Sequence, residues 1–413
     1  MKTIALAFQY LWSRPLAAVL NLLLLSLGLA SFSFVLQMSD QMEHAFERDL
    51  AGIDLVVGAK GSPLQLILTG VFHLDAPSGN VALTDVQALA KHPMVAQLIP
   101  MSLGDSFQGY RIVGSTPDYL AHFGAAVSNG RPWGAAMEVV LGAQVAQSLG
   151  LTTGAQFAGS HGLASGGAGH ADKPFTVVGV LQPCACVLDR LVLTSLESVW
   201  DVHGKHGPAK ADHDADHDKA HAKEHADIQV KDDREVTLAL IRYKSPMAAV
   251  SFPRLVNTTT RMQAAAPALE ITRLLRMLGV GADVLRGFAA VLLLTASLSV
   301  FIALWNAVRE RQADLAMLRM LGAPAHRVAG LVLVEALWLG LLACALGLLM
   351  GHGLTALMAH WLAAEKSLAL NPWHWAQAEV YVPVLGLGVA ALAALLPVVQ
   401  AYRVDVAQLL NRG

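Results

Sequence analysis

Charge is scarce in this chain. Asp, Glu, Lys and Arg make up 15% of 413 residues, 54% are hydrophobic, and the net charge is −2. A balance so close to neutral excludes the broad basic field that draws in nucleic acid. A mean hydropathy of +0.49 excludes an ordinary soluble protein and points to the membrane. Cysteine is nearly absent: Cys184, Cys186 and Cys344 are too few for a disulfide framework. No GxxxxGK[ST] string is present, so the phosphate-cradling loop of nucleotide hydrolases is missing. HExxH and GxSxG are missing too. The chain is not expected to be an enzyme by itself.

What the chain does have is long apolar runs. Four of them reach the roughly 20 residues that cross a bilayer: Leu16–Leu36, Val284–Val308, Val328–Met350 and Val380–Val399. The first is longer than the 7–15 residues of a signal-peptide core, so it reads as an uncleaved anchor. Lys and Arg set the orientation. Lys2 and Arg14 precede the first run. Arg309, Arg311, Arg319 and Arg327 fill the loop between the second and third, and Arg403 and Arg412 follow the fourth. Both termini and the 309–327 loop are therefore expected in the cytoplasm, and residues 38–282 outside it. The expected domains are residues 1–37 (N-terminus and first span), 38–282 (extracytoplasmic domain with helical stalk) and 283–413 (three further spans).

The region outside is long enough for a substantial core. Ser39–Leu50 and Leu269–Leu278 have helical spacing and read as outward extensions of the first and second spans. Between them, Tyr110–Gly114, Glu138–Leu141, Phe175–Leu181, Leu191–Thr194 and Val236–Tyr243 are short and β-branched, whereas Asp85–Lys91 and Gln144–Leu149 look helical. The expected fold class is an α-helical membrane protein with four transmembrane helices, plus a mixed α+β extracytoplasmic domain inserted between helices 1 and 2.

Residues 309–323 form a charged, amphipathic pattern between two apolar runs. Gly322 gives a helix stop, reinforced by Pro324. A short helix pinned there is well placed to receive a push from a cytosolic partner; the plainer reading is a linker lying on the membrane surface. Glu335 is the polar residue inside the third run, a functional hypothesis by default. The plainer reading is helix packing, with Arg327 or a neighbouring subunit as its partner. No other charge is read as lying deep in a span.

Residues 201–234 form a histidine-rich insert. His203, His206, His213, His217, His221 and His225 fall within 23 residues, and the last four repeat at a spacing of four. In a helix that spacing shares one face, and imidazole suits zinc, copper or nickel. A solvated loop with histidine drift is the plainer reading. Cys184 and Cys186 are a second candidate pair for zinc or copper(I). A disulfide between cysteines so close is expected to be strained. The pair also reads as two small residues in a turn.

The chain resembles the MacB/FtsX-like family of ABC transporter permeases nearly end to end. The strings VGSTPDYL (Val113–Leu120), NGRPW (Asn129–Trp133), VVLGAQVAQSLGLTTGAQF (Val139–Phe157) and FTVVGVLQP (Phe175–Pro183) look like its periplasmic core domain. LLPVVQAYRVDVAQLL (Leu395–Leu410) looks like its last span and tail, and IDLVVGAKGSPLQLIL (Ile53–Leu68) and APSGN (Ala76–Asn80) look like a subgroup. The main departure is the insert. The resemblance implies a bacterial inner-membrane protein with a periplasmic domain. It implies a homodimer or paired permease bound to cytosolic ABC ATPase subunits, which bind the ATP. It implies that Arg309, Glu310, Arg311, Asp314, Leu315, Leu318, Arg319 and Gly322 couple to them. The expected function is mechanotransmission, work done across the membrane without cargo passing through, with a link to zinc through the insert and no intrinsic cofactor. The alternatives are an FtsX-like regulator of a periplasmic hydrolase, a lipoprotein-extracting permease like the related Lol permeases, and a direct metal transporter. A periplasmic partner protein is a further expected partner.

Overall fold

The structure, a computed structural model, describes residues 8–9, 12, 15–161, 173–203, 234–364 and 370–403. The chain divides into two compact units, one made of Met1–His44 and Arg276–Gly413, the other of Ala45–Leu275.

The first unit is helical. It holds α1 (Pro15–Leu50) as far as His44, α2 (Pro267–Glu310) from Arg276, and α3 (Gln312–Met320), α4 (Ala325–Ala364) and α5 (Tyr381–Tyr402). α1, α2, α4 and α5 are the four helices long and apolar enough to cross a membrane. α1 has 36 residues and α2 has 44, well beyond the roughly 20 that a bilayer needs. Each runs through the stretch read as an outward extension of its span.

The buried face of α2 carries Leu293, Ala296, Val300, Leu304 and Val308, against Leu25 and Leu29 of α1 and Ala336 and Ala343 of α4. The opposite face leaves Phe288, Val291, Leu294 and Leu298 more than half exposed. An exposed face this apolar suits lipid. α1 and α4 approach closely because α4 presents Gly347 and Gly351. A Cβ on Gly347 would stand 2.8 Å from the Leu29 Cβ, and one on Gly351 would stand 2.8 Å from the Ser33 hydroxyl. Small residues four apart are a recurrent device for close helix packing in membranes.

The second unit is a mixed α+β domain. Among the described residues its main sheet has eleven strands. Leu55–Ala59, Leu238–Tyr243, Val95–Phe107 and Tyr110–Ser115 pair antiparallel in that order, and Met262–Ala265 pairs antiparallel with Leu55–Ala59 at the edge. Leu191–Ser195 then joins parallel to Tyr110–Ser115, and Phe175–Leu181 joins parallel to Glu138–Leu141. Phe175, Val177 and Leu181 are buried at every second position, which is the period of a strand with one face on a core. The hairpin from Phe107 to Tyr110 turns on Gln108 (φ 48°) and Gly109 (φ 83°). Two successive residues at positive φ give the twist that a tight hairpin requires. Helices Leu83–Ala90, Leu196–His203 and Ala248–Thr259 contribute Val86, Leu196 and Phe252 to one buried cluster. Tyr110, Val139, Phe157 and Phe175 belong to another.

The predicted strands and helices are present, except that the run Val236–Tyr243 is divided into Glu235–Val236, which pairs with Val81–Ala82 in a second sheet, and Leu238–Tyr243. The longest strand, Val95–Phe107, is not among those predicted, because Pro100, Gly104 and Asp105 dilute its apolar alternation.

Candidate functional site: the loop helix between the second and third spans

α2 ends at Glu310, Arg311 leaves helical geometry (φ −93°, ψ 13°), and α3 begins at Gln312. At its other end α3 closes in a Schellman motif. The Ala323 N–H donates to the Leu318 carbonyl and the Gly322 N–H to the Arg319 carbonyl, both at 3.0 Å. Gly322 sits at φ 92°, a conformation that costs a non-glycine residue free energy.

The expected coupling residues span the end of α2, α3 and the turn after it. Leu315 and Ala316 are buried, Leu318 and Arg319 are half-buried, and Arg309, Glu310 and Asp314 are exposed. Met317, Met320 and Leu321 complete the outer face, 54%, 55% and 85% exposed. The sequence reading does not place these three among the coupling residues. The signal was present, since Ala313, Met317, Met320 and Leu321 follow helical spacing on the side opposite Leu315.

Arg311 points inward. Its guanidinium lies 3.5 Å from the carboxylate of Glu335 on α4, and both side chains are largely buried. Glu335 therefore pairs with Arg311, and not with Arg327 as expected: the break at Arg311 turns its side chain toward α4. The pair lines a cleft of about 160 Å³ shared with Ala17, Ala18, Asn21 and Leu304. Removing one partner of a buried ion pair leaves an uncompensated charge, so the start of α3 is tied to α4.

A second polar cluster gathers around another buried carboxylate. Glu379 lies in the 3-10 turn Gln377–Val380 at the head of α5 and is fully buried. Its Oε1 accepts hydrogen bonds from Ser33 (2.6 Å) and Gln37 (2.8 Å) of α1. Its Oε2 accepts from the Ala376 N–H at 3.3 Å. His352 of α4 brings Nε2 to 3.5 Å from the same carboxylate. The residues just before this turn are held to α1 as well. His374 Nε2 lies 2.7 Å from an Asp40 carboxylate oxygen, and the Asn371 N–H donates to Gln41 at 2.8 Å. The sequence reading began the fourth span one residue after Glu379 and so left it outside.

In the second unit, Cys184 and Cys186 are joined as a disulfide. This corrects the reading of the pair as a free thiolate ligand set. Ala185 between them takes φ 54°, which brings their Cα atoms to 5.1 Å, inside the usual disulfide range. The Cys184 N–H donates to Asp189 at 3.0 Å. Cys344 on α4 is free and buried.

His203 ends the helix Leu196–His203, with Nε2 3.2 Å from Asp105. The hydrogen bond to Asp105 raises the His203 pKa, against the opposing effect of burial. His203 borders a cleft of about 720 Å³ together with Asn80, Ser102, Trp200, Arg234 and Glu235. His206, His213, His217, His221 and His225 lie outside the described residues. Among the described residues, no group of three or more His, Cys, Asp or Glu is arranged to hold a metal ion.

Comparison with curated proteins gives no match. Among solved structures, the chain is similar to the periplasmic region of MacB from Actinobacillus actinomycetemcomitans, with 12% identity and a TM-score of 0.34, over 55% of this chain and 95% of that one. It is also similar to the extracellular domain of the noncanonic ABC-type transporter YknZ from Gram-positive bacteria, with 13% identity and a TM-score of 0.31, over 51% of this chain and 98% of that one. The MacB-like periplasmic core domain family model matches residues 18–235, more than half of the chain, and the FtsX-like permease C-terminal model matches residues 286–406. This chain belongs to the MacB/FtsX-like family of ABC transporter permeases, which work with cytosolic ABC ATPase partners.

Proposed function

We propose that this permease couples ATP hydrolysis by separate cytosolic subunits to conformational work in its core domain, by pushing on α3. The observation that carries this reading is the pairing of two features in one short helix. α3 and its C-cap show an outer ridge of Met317, Met320 and Leu321, with exposed charges at Asp314 and, at the end of α2, at Arg309 and Glu310. It is also anchored inward through Arg311 and Glu335. An apolar ridge rimmed by charge is a protein-docking surface. An anchor to α4 passes a push on that surface to a span.

In this reading both termini and α3 face the cytoplasm, and the core domain lies in the periplasm of a bacterial inner membrane. Two permeases, identical or paired, meet two ATPase subunits, and α1 and α2 carry the motion outward as a stalk. Charge reversal at Arg309, Glu310 or Arg319 is expected to uncouple ATP hydrolysis from function while the protein still folds. This is measured as ATPase activity and substrate-independent conformational change in the reconstituted complex. Normal coupling in all three variants would falsify the reading.

A link to transition metals rests on the insert. His203, its first histidine, stands beside Asp105 at the rim of a cleft, a nitrogen and an oxygen donor side by side. Zinc is expected to alter the ATPase rate of the wild-type complex and not of a chain lacking residues 204–233. A rate indifferent to both makes the insert a passive buffer.

A further inference from the structure

The disulfide of the core domain closes a loop with one residue between its cysteines. A cross-link over so short a loop restricts the unfolded chain least, so it adds less to stability than a long-range one. It also keeps Ala185 at φ 54°, a left-handed conformation that a non-glycine residue seldom holds. A bond that keeps its own loop in an unfavourable conformation is more easily reduced. Access is uneven between the two sulfurs. Ala185 is exposed and Cys184 half-buried, whereas Cys186 is buried.

The surroundings accommodate both redox states of Cys184. The Cys186 N–H points at Cys184 Sγ from 3.2 Å, where it would stabilise a thiolate. An Asp189 carboxylate oxygen lies 3.5 Å from the same sulfur, within reach as an acceptor for a thiol. The next residue along connects this loop to α1. The Val187 N–H donates to the carboxylate of Asp49 at 3.2 Å. Asp49 stands in the last turn of α1, is buried, and has Arg48 Nε 3.6 Å away. An acidic side chain there opposes the helix dipole, so the donated hydrogen bond matters. Val187 and Leu188 are themselves buried, which holds the 3-10 turn Val187–Arg190 in the core when the bond opens.

We propose that Cys184–Cys186 is a reversible thiol–disulfide exchange site, and that its reduction by a thiol loosens the Val187 contact with Asp49 at the end of α1. A thiolate of the reductant attacks the accessible Cys184 Sγ and forms a mixed disulfide. The Cys184–Cys186 bond breaks with its electron pair on Cys186. A second reductant thiolate attacks the reductant's own sulfur in the mixed disulfide, and Cys184 leaves as a thiolate. Both cysteines then take up protons. Two reductant thiols have become a disulfide, and two electrons have passed to the protein. α1 is the helix that the coupling reading uses as a stalk, so redox control of transmission rests on that reading. The exchange site itself does not, and it is tested without the ATPase.

The full chain in lipid nanodiscs is equilibrated in buffers of reduced and oxidised glutathione, and its free thiols are alkylated. The peptide carrying Cys184 and Cys186 is read by mass spectrometry, which separates it from Cys344. Hydrogen exchange is followed over residues 184–190 and the last turn of α1. A purely structural disulfide resists the glutathione pool. The expected result is double labelling of the folded protein at millimolar reduced glutathione, reversed by oxidised glutathione. Exchange at the Val187 amide is expected to rise at least tenfold on reduction. Cys184→Ser/Cys186→Ser should show the fast rate in every buffer, and Asp49→Ala should show it in both redox states. If either variant does not fold, the wild-type titration decides. The proposal is overturned if the pair stays unlabelled until the protein is denatured, or if Val187 exchanges equally in both redox states.

Discussion

At the scale of single residues, buried charge decides most of what is distinctive. Arg311 and Glu335 stabilise one another as a pair, since removing either leaves the other's charge less compensated in a buried place. Breaking such a pair costs about 3–5 kcal/mol, whereas replacing both partners by apolar groups is close to neutral. Arg311→Met and Glu335→Met are therefore each expected to lower the thermal midpoint in detergent. The double variant is expected to lie nearer the wild type than either single one. Additive losses would mean that the two residues act separately.

His203 gives a pH signature. Its folded pKa is raised, first by the hydrogen bond to Asp105. The folded state therefore holds a proton that the unfolded state releases sooner. The stabilisation is fully present below the unfolded pKa, about 6.5, and is lost as pH rises through the raised value. His73 and His122 have pKa values lowered by burial, so they work the opposite way and lose stability as pH falls. Comparing the wild type with Asp105→Asn cancels those two. The difference in unfolding midpoint should be large at pH 5.5 and shrink by pH 9. A difference that stays constant with pH would remove His203 from the account.

At the scale of elements, the spans are legible in the sequence because a continuous apolar run is a strong, local signal. Their ends are less so. Glu379 begins a 3-10 turn, and that turn lets a charged residue enter the span with Ser33 and Gln37 as partners. Those partners lie 346 and 342 residues away in sequence, beyond any periodicity argument. α3 is legible from its charges and from Gly322, yet its orientation is not: the buried side became known only when Leu315 and Ala316 were seen packed and Met317, Met320 and Leu321 exposed. The disulfide is not legible in the sequence, because sequence separation says nothing of Ala185 adopting a positive φ. The strand Val95–Phe107 stayed hidden because its side chains are mixed and its pairing partners supply the order. The helix contact at Gly347 gives its own prediction. A Cβ there meets the Leu29 Cβ and the Ser26 carbonyl, neither of which can rotate away. Gly347→Val should therefore destabilise the helical unit by about 1–3 kcal/mol, read as a lower melting temperature with unchanged stability of the core domain. An unchanged melting temperature would show that α1 and α4 can separate freely.

At the scale of the whole molecule, the chain is a permease with few polar groups inside its spans and a large sheet domain inserted after the first of them. The described polar clusters in its helices join helix to helix: Arg311 to Glu335, and Glu379 to Ser33, Gln37 and His352. The most direct test is hydrogen exchange across Ala45–Leu275 in the reconstituted permease–ATPase complex, with and without a slowly hydrolysed ATP analogue. The wild type is compared with Met317→Glu/Leu321→Glu. The account predicts that the nucleotide changes exchange in the core domain of the wild type and leaves the variant as it was. A core domain that responds equally in both, or in neither, would contradict transmission through α3.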